Sequence, residues 1–156
     1  MKPLLALAAL ALPSSAAFAA TPITHYSAGG ALPPGATAPG VGPAFSSAVM
    51  AGDTLYVSGT TDQDPATGKP PTDVKVGAKI VLDNIQRAVE KAGLTMNDLV
   101  WVQVFASDLS YYATFNEVYR TYFTGPLPAR AFLGAGSLLN GAHFEVMGIA
   151  VKPAKK

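Results

Sequence analysis

The sequence predicts a two-layer α/β domain: a mixed β-sheet with two helices packed on one face, in the order ββαβαββ. Three observations predict it. Two segments place apolar residues at three- and four-residue steps, and each is apolar on one side only. Five shorter runs are rich in β-branched and aromatic residues and are bounded by turn residues. The chain of 156 residues, 49% hydrophobic and 13% charged, is long enough for one core and too short for two.

Phe45–Met50 and Thr54–Gly59 read as the first two strands, a hairpin turned by Ala51-Gly52-Asp53. Asp62, Asp64 and Gly68 follow with a calcium-loop look. The fifth position is Ala66 and no Glu lies at the required distance, so an Asx turn is the better reading. Thr72 or Asp73 caps a helix that runs to Ala92 and stops at Gly93. Val74, Ala78, Val81, Ile85, Val89 and Ala92 form its apolar stripe, and Lys75, Lys79, Arg87, Glu90 and Lys91 its solvated side.

Leu99–Ser107, with the only Trp at 101, reads as a buried strand. Ser110 caps a second helix, Tyr111–Phe123, whose Tyr112, Phe115, Tyr119 and Tyr122 make an aromatic stripe, read as core. Ala131–Leu138 and His143–Lys152 are the last strands, with Asn140-Gly141 between them. With both helices on one face, the other face of the sheet is apolar and uncovered. Large exposed apolar patches mark partner surfaces, so the pattern predicts self-association.

The first nineteen residues combine Lys2, an apolar run from Leu4 to Leu12, Pro13 and a small-residue ending at Ala17-Phe18-Ala19. That is a secretory signal peptide with cleavage expected between Ala19 and Ala20; nine apolar residues fall short of the ~20 needed to span a bilayer. The expected location is periplasmic or secreted, with no membrane attachment after cleavage. Residues 20–41, broken by prolines and glycines, read as a leader or extended arm that contains His25 and Tyr26, with His25 read as solvated and without a role, and folded structure begins near Ala44. There is no cysteine, so neither disulfides nor thiolate chemistry enters. The net charge of +1, with no basic cluster in the body of the chain, argues against a nucleic-acid partner.

Two charges stand inside apolar runs, Arg130 and Glu145. Around them the chain resembles the Rid family, deaminases of enamines and imines formerly labelled L-PSP endoribonucleases. The resemblance covers about 110 residues, Gly42 to Val151. It is carried by Phe45-Ser46-Ser47-Ala48-Val49, Leu55-Tyr56-Val57-Ser58-Gly59, Asp64-Pro65-Ala66-Thr67-Gly68, Leu82-Asp83-Asn84-Ile85, Phe115-Asn116-Glu117-Val118-Tyr119, Pro128-Ala129-Arg130, and Phe144-Glu145 with Ile149-Ala150.

The resemblance implies a chorismate mutase-like domain assembled as a homotrimer, with the sheets facing inward and the sites between subunits. It also implies hydrolysis of small 2-imino or enamino acids to 2-oxo acids and ammonia, with no cofactor and no metal. Arg130 would hold the substrate carboxylate and Glu145 would position water, in a site that includes Phe45, Ser58, Gly59, Asn116 and Phe132. Where the family usually has a tyrosine, a glutamine, a cysteine and a second acid, this chain has Phe45, Thr60, Phe132 and Met147, which make the pocket more apolar.

A guanidinium fork suits a carboxylate, and a carboxylate base suits a water nucleophile. The competing readings are an interface ion pair between Arg130 and Glu145, and a non-catalytic module that binds small carboxylates. A ribonuclease lacks a phosphate grip and paired histidines here, and His143 with Glu145, expected to share a face of the last strand, lacks a third metal ligand. One geometric condition follows. Were Asn140-Gly141 a two-residue hairpin, Arg130 and Glu145 would lie roughly 20 Å apart, so a shared substrate requires that the last two strands not pair in that register.

Overall fold

A computed structural model describes residues 20–27, 30–31 and 45–154. The expected signal peptide, most of the expected leader and the two terminal lysines lie outside the described residues. The strands are β1 (Ile23–Ser27), β2 (Gly30–Ala31), β3 (Ala48–Ala51), β4 (Thr54–Thr61), β5 (Leu99–Ala106), β6 (Ala129–Gly134) and β7 (Phe144–Val151), and the helices α1 (Val74–Lys91) and α2 (Tyr112–Arg120). They form one sheet of order β2-β1-β3-β4-β7-β5-β6, antiparallel except for the β5–β6 pair, which α2 connects.

The predicted class holds, and the helices cover one face. In α1, Ala78, Val81, Ile85 and Val89 are buried, as the stripe predicts, and Leu82 is buried beside them. Asp73 caps the helix by accepting the Lys75 N–H at 2.8 Å, and Gly93 ends it at φ +76°. The second helix starts differently. A 3₁₀ turn at Leu109–Tyr111 comes first, and its cap is Asp108, which accepts the Ser110 N–H at 2.8 Å; Ser110 itself is not the cap. Asp64 accepts from the Ala66 N–H at 2.7 Å, the Asx turn that was expected.

The leader reading changes. Ile23–Ser27 pairs antiparallel with β3, from Ile23 opposite Ala51 to Tyr26 opposite Ala48. Alternation was hidden by the prolines and glycines that follow, but a strand near the sheet edge, between β3 and the two-residue β2, is held by its backbone ladders and needs no buried face of its own. His25 also has a partner, the Ser46 hydroxyl at 3.0 Å.

The last two strands are not neighbours. β5 and β7 pair with each other, and β6 lies beyond β5 at the edge. Leu139–Gly141 is a 3₁₀ turn, with Asn140 and Gly141 both at positive φ, in a crossover and not in a hairpin. β6 starts two residues earlier than expected and ends at Gly134.

The other face is uncovered, as the one-sided helices predict. Registers align Val49, Tyr56, Ile149 and Trp101 in one row across it, and Glu145, Phe105 and Leu133 in another. Tyr56 is 51% exposed and Leu133 41%.

Candidate functional site

The site residues fall into two groups. The first stands at the β6 edge, on the helix side of the sheet. Arg130 pairs in register with buried Val102, so its side chain rises toward α2. One guanidinium N–H group donates to Asn116 Oδ1 at 2.7 Å. The guanidinium carbon lies 4.6 Å from the ring centre of Tyr119 and about 6 Å from those of Tyr112, Phe115 and Phe132. Asn116 and Tyr119 are buried on α2, and Phe132 sits edge-on to Tyr112 at 5.0 Å.

The aromatic stripe read as core is therefore also the bed of the arginine. Stacking fixes the plane of the guanidinium, and Asn116 engages one donor. The rest of the fork is left for a planar acceptor such as a carboxylate. Among the described residues Arg130 makes no ion pair with an acid. The Tyr119 hydroxyl beneath it is buried without a hydrogen-bond partner among the described residues, and burial pushes its pKa up to about 12, against a smaller downward pull from Arg130.

The second group lines a cavity of about 520 Å³ at the end of β4, where Phe45, Ser58, Gly59 and Glu145 meet Thr60, Gln63, Asn84 and Leu139. A bulge between Val57 and Thr60 breaks the β4–β7 ladder at this point. Glu145 lies over Gly59 so closely that a Cβ on residue 59 would overlap the carboxylate. Ser58 Oγ donates to the Ser46 carbonyl at 2.7 Å and so fixes the approach of Phe45, which is 63% exposed. Asn84 on α1 braces the bulge, donating to Thr60 Oγ1 at 3.1 Å and to the Thr61 carbonyl at 3.0 Å.

Each group is assembled, but one chain does not bring them together. Arg130 is opposite Val102 and Glu145 opposite Phe105, with β5 between their strands. Their backbones are thus about 10 Å apart along the strands and about 10 Å across them. Arg130 also sits on the helix side and Glu145 on the open side. The condition set by the sequence is met, since β6 and β7 do not pair, yet a small acid cannot touch both residues of one chain.

The sequence reading missed the Asn84 brace and a pair formed by Asp62 and His143. Asp62 is fully buried and accepts from the His143 ring at 2.8 Å. His143 and Glu145 do not share a face as expected. β7 begins only at Phe144, and His143 turns toward Asp62 and Tyr111. A lone Asp in a polar turn and a lone His before a strand give no signal until the fold joins them across 81 positions. Among the described residues no three His, Asp or Glu side chains converge as a metal site would need.

Residues 35–152 match the family model described as Endoribonuclease L-PSP. The mouse 2-iminobutanoate/2-iminopropanoate deaminase is 38% identical over 113 residues, covering 72% of this chain and 83% of its own length. The Escherichia coli K12 protein of the same name is 36% identical over 115 residues, covering 72% and 89%. The crystal structure of E. coli TdcF with bound serine superposes with a TM-score of 0.68 at 33% identity, covering 74% of this chain and 94% of that one. The chain belongs to the Endoribonuclease L-PSP family, the Rid family that its motifs resemble.

Proposed function

We propose that this protein hydrolyses small 2-imino or enamino acids to 2-oxo acids and ammonia, in sites completed between copies of the chain. The observation that carries the reading is the division of the site. Arg130 with its aromatic bed stands at one edge of the sheet and Glu145 in its cavity stands apart from it. A contact between two different patches of the same chain is heterologous, and heterologous contacts form rings where the rotation closes. A homotrimer is the ring that the family resemblance implies, and the uncovered apolar face gives it an inner surface.

In this reading Arg130 of one copy binds the substrate carboxylate and so places the adjacent C=N carbon beside Glu145 of the next. Glu145 takes a proton from water as its oxygen bonds to that carbon. That proton passes to nitrogen, giving a carbinolamine; the proton of the new hydroxyl then moves to nitrogen as the C–N bond breaks, and ammonia leaves a C=O group behind. These steps call on no cofactor.

The test is ammonia release from 2-iminopropanoate generated in situ by an amino-acid oxidase. We expect turnover by the wild type, its loss in Arg130→Ala through failed binding, and its loss in Glu145→Gln with binding kept. A wild type that binds serine or pyruvate and releases no ammonia instead favours a carboxylate-binding module, a reading supported by the serine in the E. coli relative.

Export is part of the proposal. Cell fractionation and N-terminal sequencing should find a periplasmic or secreted protein starting at Ala20, and a cytoplasmic chain that keeps Met1 or Lys2 overturns it.

A further inference from the structure

Asp62 follows the last residue of β4, and His143 precedes the first residue of β7. The final register pair between these strands is Thr61 with Glu145. Beyond it the ladder is continued by a side chain. Asp62 Oδ1 accepts the His143 N–H at 2.9 Å and the Phe144 N–H at 3.3 Å, while Oδ2 faces His143 Nδ1 at 2.8 Å. In the tautomer with hydrogen on Nδ1, the ring donates to Oδ2.

The surroundings are cut to this pair. Gly77 in α1 lies against Asp62 Oδ2, and a Cβ there would overlap that oxygen. The Tyr111 ring stands edge-on to His143 at 5.6 Å. A fully buried carboxyl group with three polar contacts is costly to disturb, because loss of the ring contact leaves Oδ2 without its hydrogen-bond partner.

We propose that Asp62 and His143 are positioning residues: together they clamp the start of β7 and so set the depth at which Glu145 enters the cavity beside Gly59. The pair touches neither the Glu145 carboxylate nor the Arg130 group. It acts through the backbone of Phe144, the one residue between His143 and Glu145. The role it serves rests on the deaminase reading, but the clamp itself can be read without any turnover.

The chain has three glutamates, Glu90, Glu117 and Glu145. In protein labelled with ¹³C at the glutamate carboxyl, the Glu145 signal is assigned by its loss in Glu145→Gln. We expect His143→Leu, which removes the ring donor, to move or broaden that signal while Glu90 and Glu117 stay in place. His143→Asn, which keeps an N–H near the Nδ1 position, should restore it. In the ammonia assay His143→Leu should lower kcat about tenfold or more with KM within about twofold, as expected when a reacting group is misplaced, and His143→Asn should recover most of it.

A Glu145 signal unmoved in His143→Leu, with only the melting temperature lowered, overturns the proposal and leaves a structural pair. Should His143→Leu fail to fold, Asp62→Asn carries the same readings, because its amide oxygen still accepts the two backbone N–H groups and only the ring contact changes. A wild type without turnover sinks the deaminase reading, and the carboxyl signal still decides the clamp.

Discussion

Gly59 and Tyr119 are the two side-chain positions on which the proposed chemistry leans most closely without taking part in it. Glu145 rests on the bare Cα of Gly59, so Gly59→Ala must push the carboxylate out of its place. Placement errors near 1 Å can cost about a hundredfold, and we expect kcat for ammonia release to fall at least about tenfold while the protein still folds. Tyr119 supports the guanidinium through its ring, and its hydroxyl is buried and unpartnered among the described residues. Burial raises its pKa from 10.0 to about 12, with Arg130 pulling weakly the other way. The folded chain therefore holds this proton more tightly than the unfolded one. Its contribution to stability is whole below pH 10 and is lost as the pH rises through about 12. Denaturant midpoints measured from pH 8 to pH 12 should fall less steeply in Tyr119→Phe than in the wild type.

Among the elements, α1 depends most on local signals. The Asp73 cap satisfies an N–H that no carbonyl of the helix can reach, and Asp73→Ala should cost about 1 kcal/mol by denaturant titration while the helical circular dichroism is kept. Such local devices are why α1 and the core strands were legible in the sequence: the 3.6-residue stripe, the cap and Gly93 all lie within twenty-odd positions of one another. β1 was not legible, because it is held by backbone ladders to β2 and β3, and a partner's N–H and C=O groups leave no mark on its own side chains. The pairing of β6 with β5 was hidden for the same reason. Arg130, Asn116 and Glu145 could be singled out as residues. That they form two groups depends on β5 lying between β6 and β7, which no spacing along the chain records. The Asp62–His143 pair was invisible for want of any local pattern at all.

At the scale of the whole molecule, a divided site makes a quantitative prediction. Arg130→Ala and Glu145→Gln chains are each expected to be inactive alone, yet each keeps the group the other lacks. When the two are co-expressed in equal amounts in a ring, about one quarter of the sites should pair a working Arg130 with a working Glu145. Ammonia release near that fraction of wild type supports sites shared between copies, and no recovery in mixed rings verified by native mass spectrometry argues against them.

The position of β7 has a consequence for how the protein is made. The strand nearest the C-terminus lies between β4 and β5, so the sheet cannot close until nearly all of the chain is available. Pairings this distant in sequence form slowly, and domains fold as units once their parts are present. Without β7, the β1–β4 strands and α1 on one side and the β5–β6 pair on the other have no central strand to join them. Removing the last strand would therefore abolish the fold and not merely trim it.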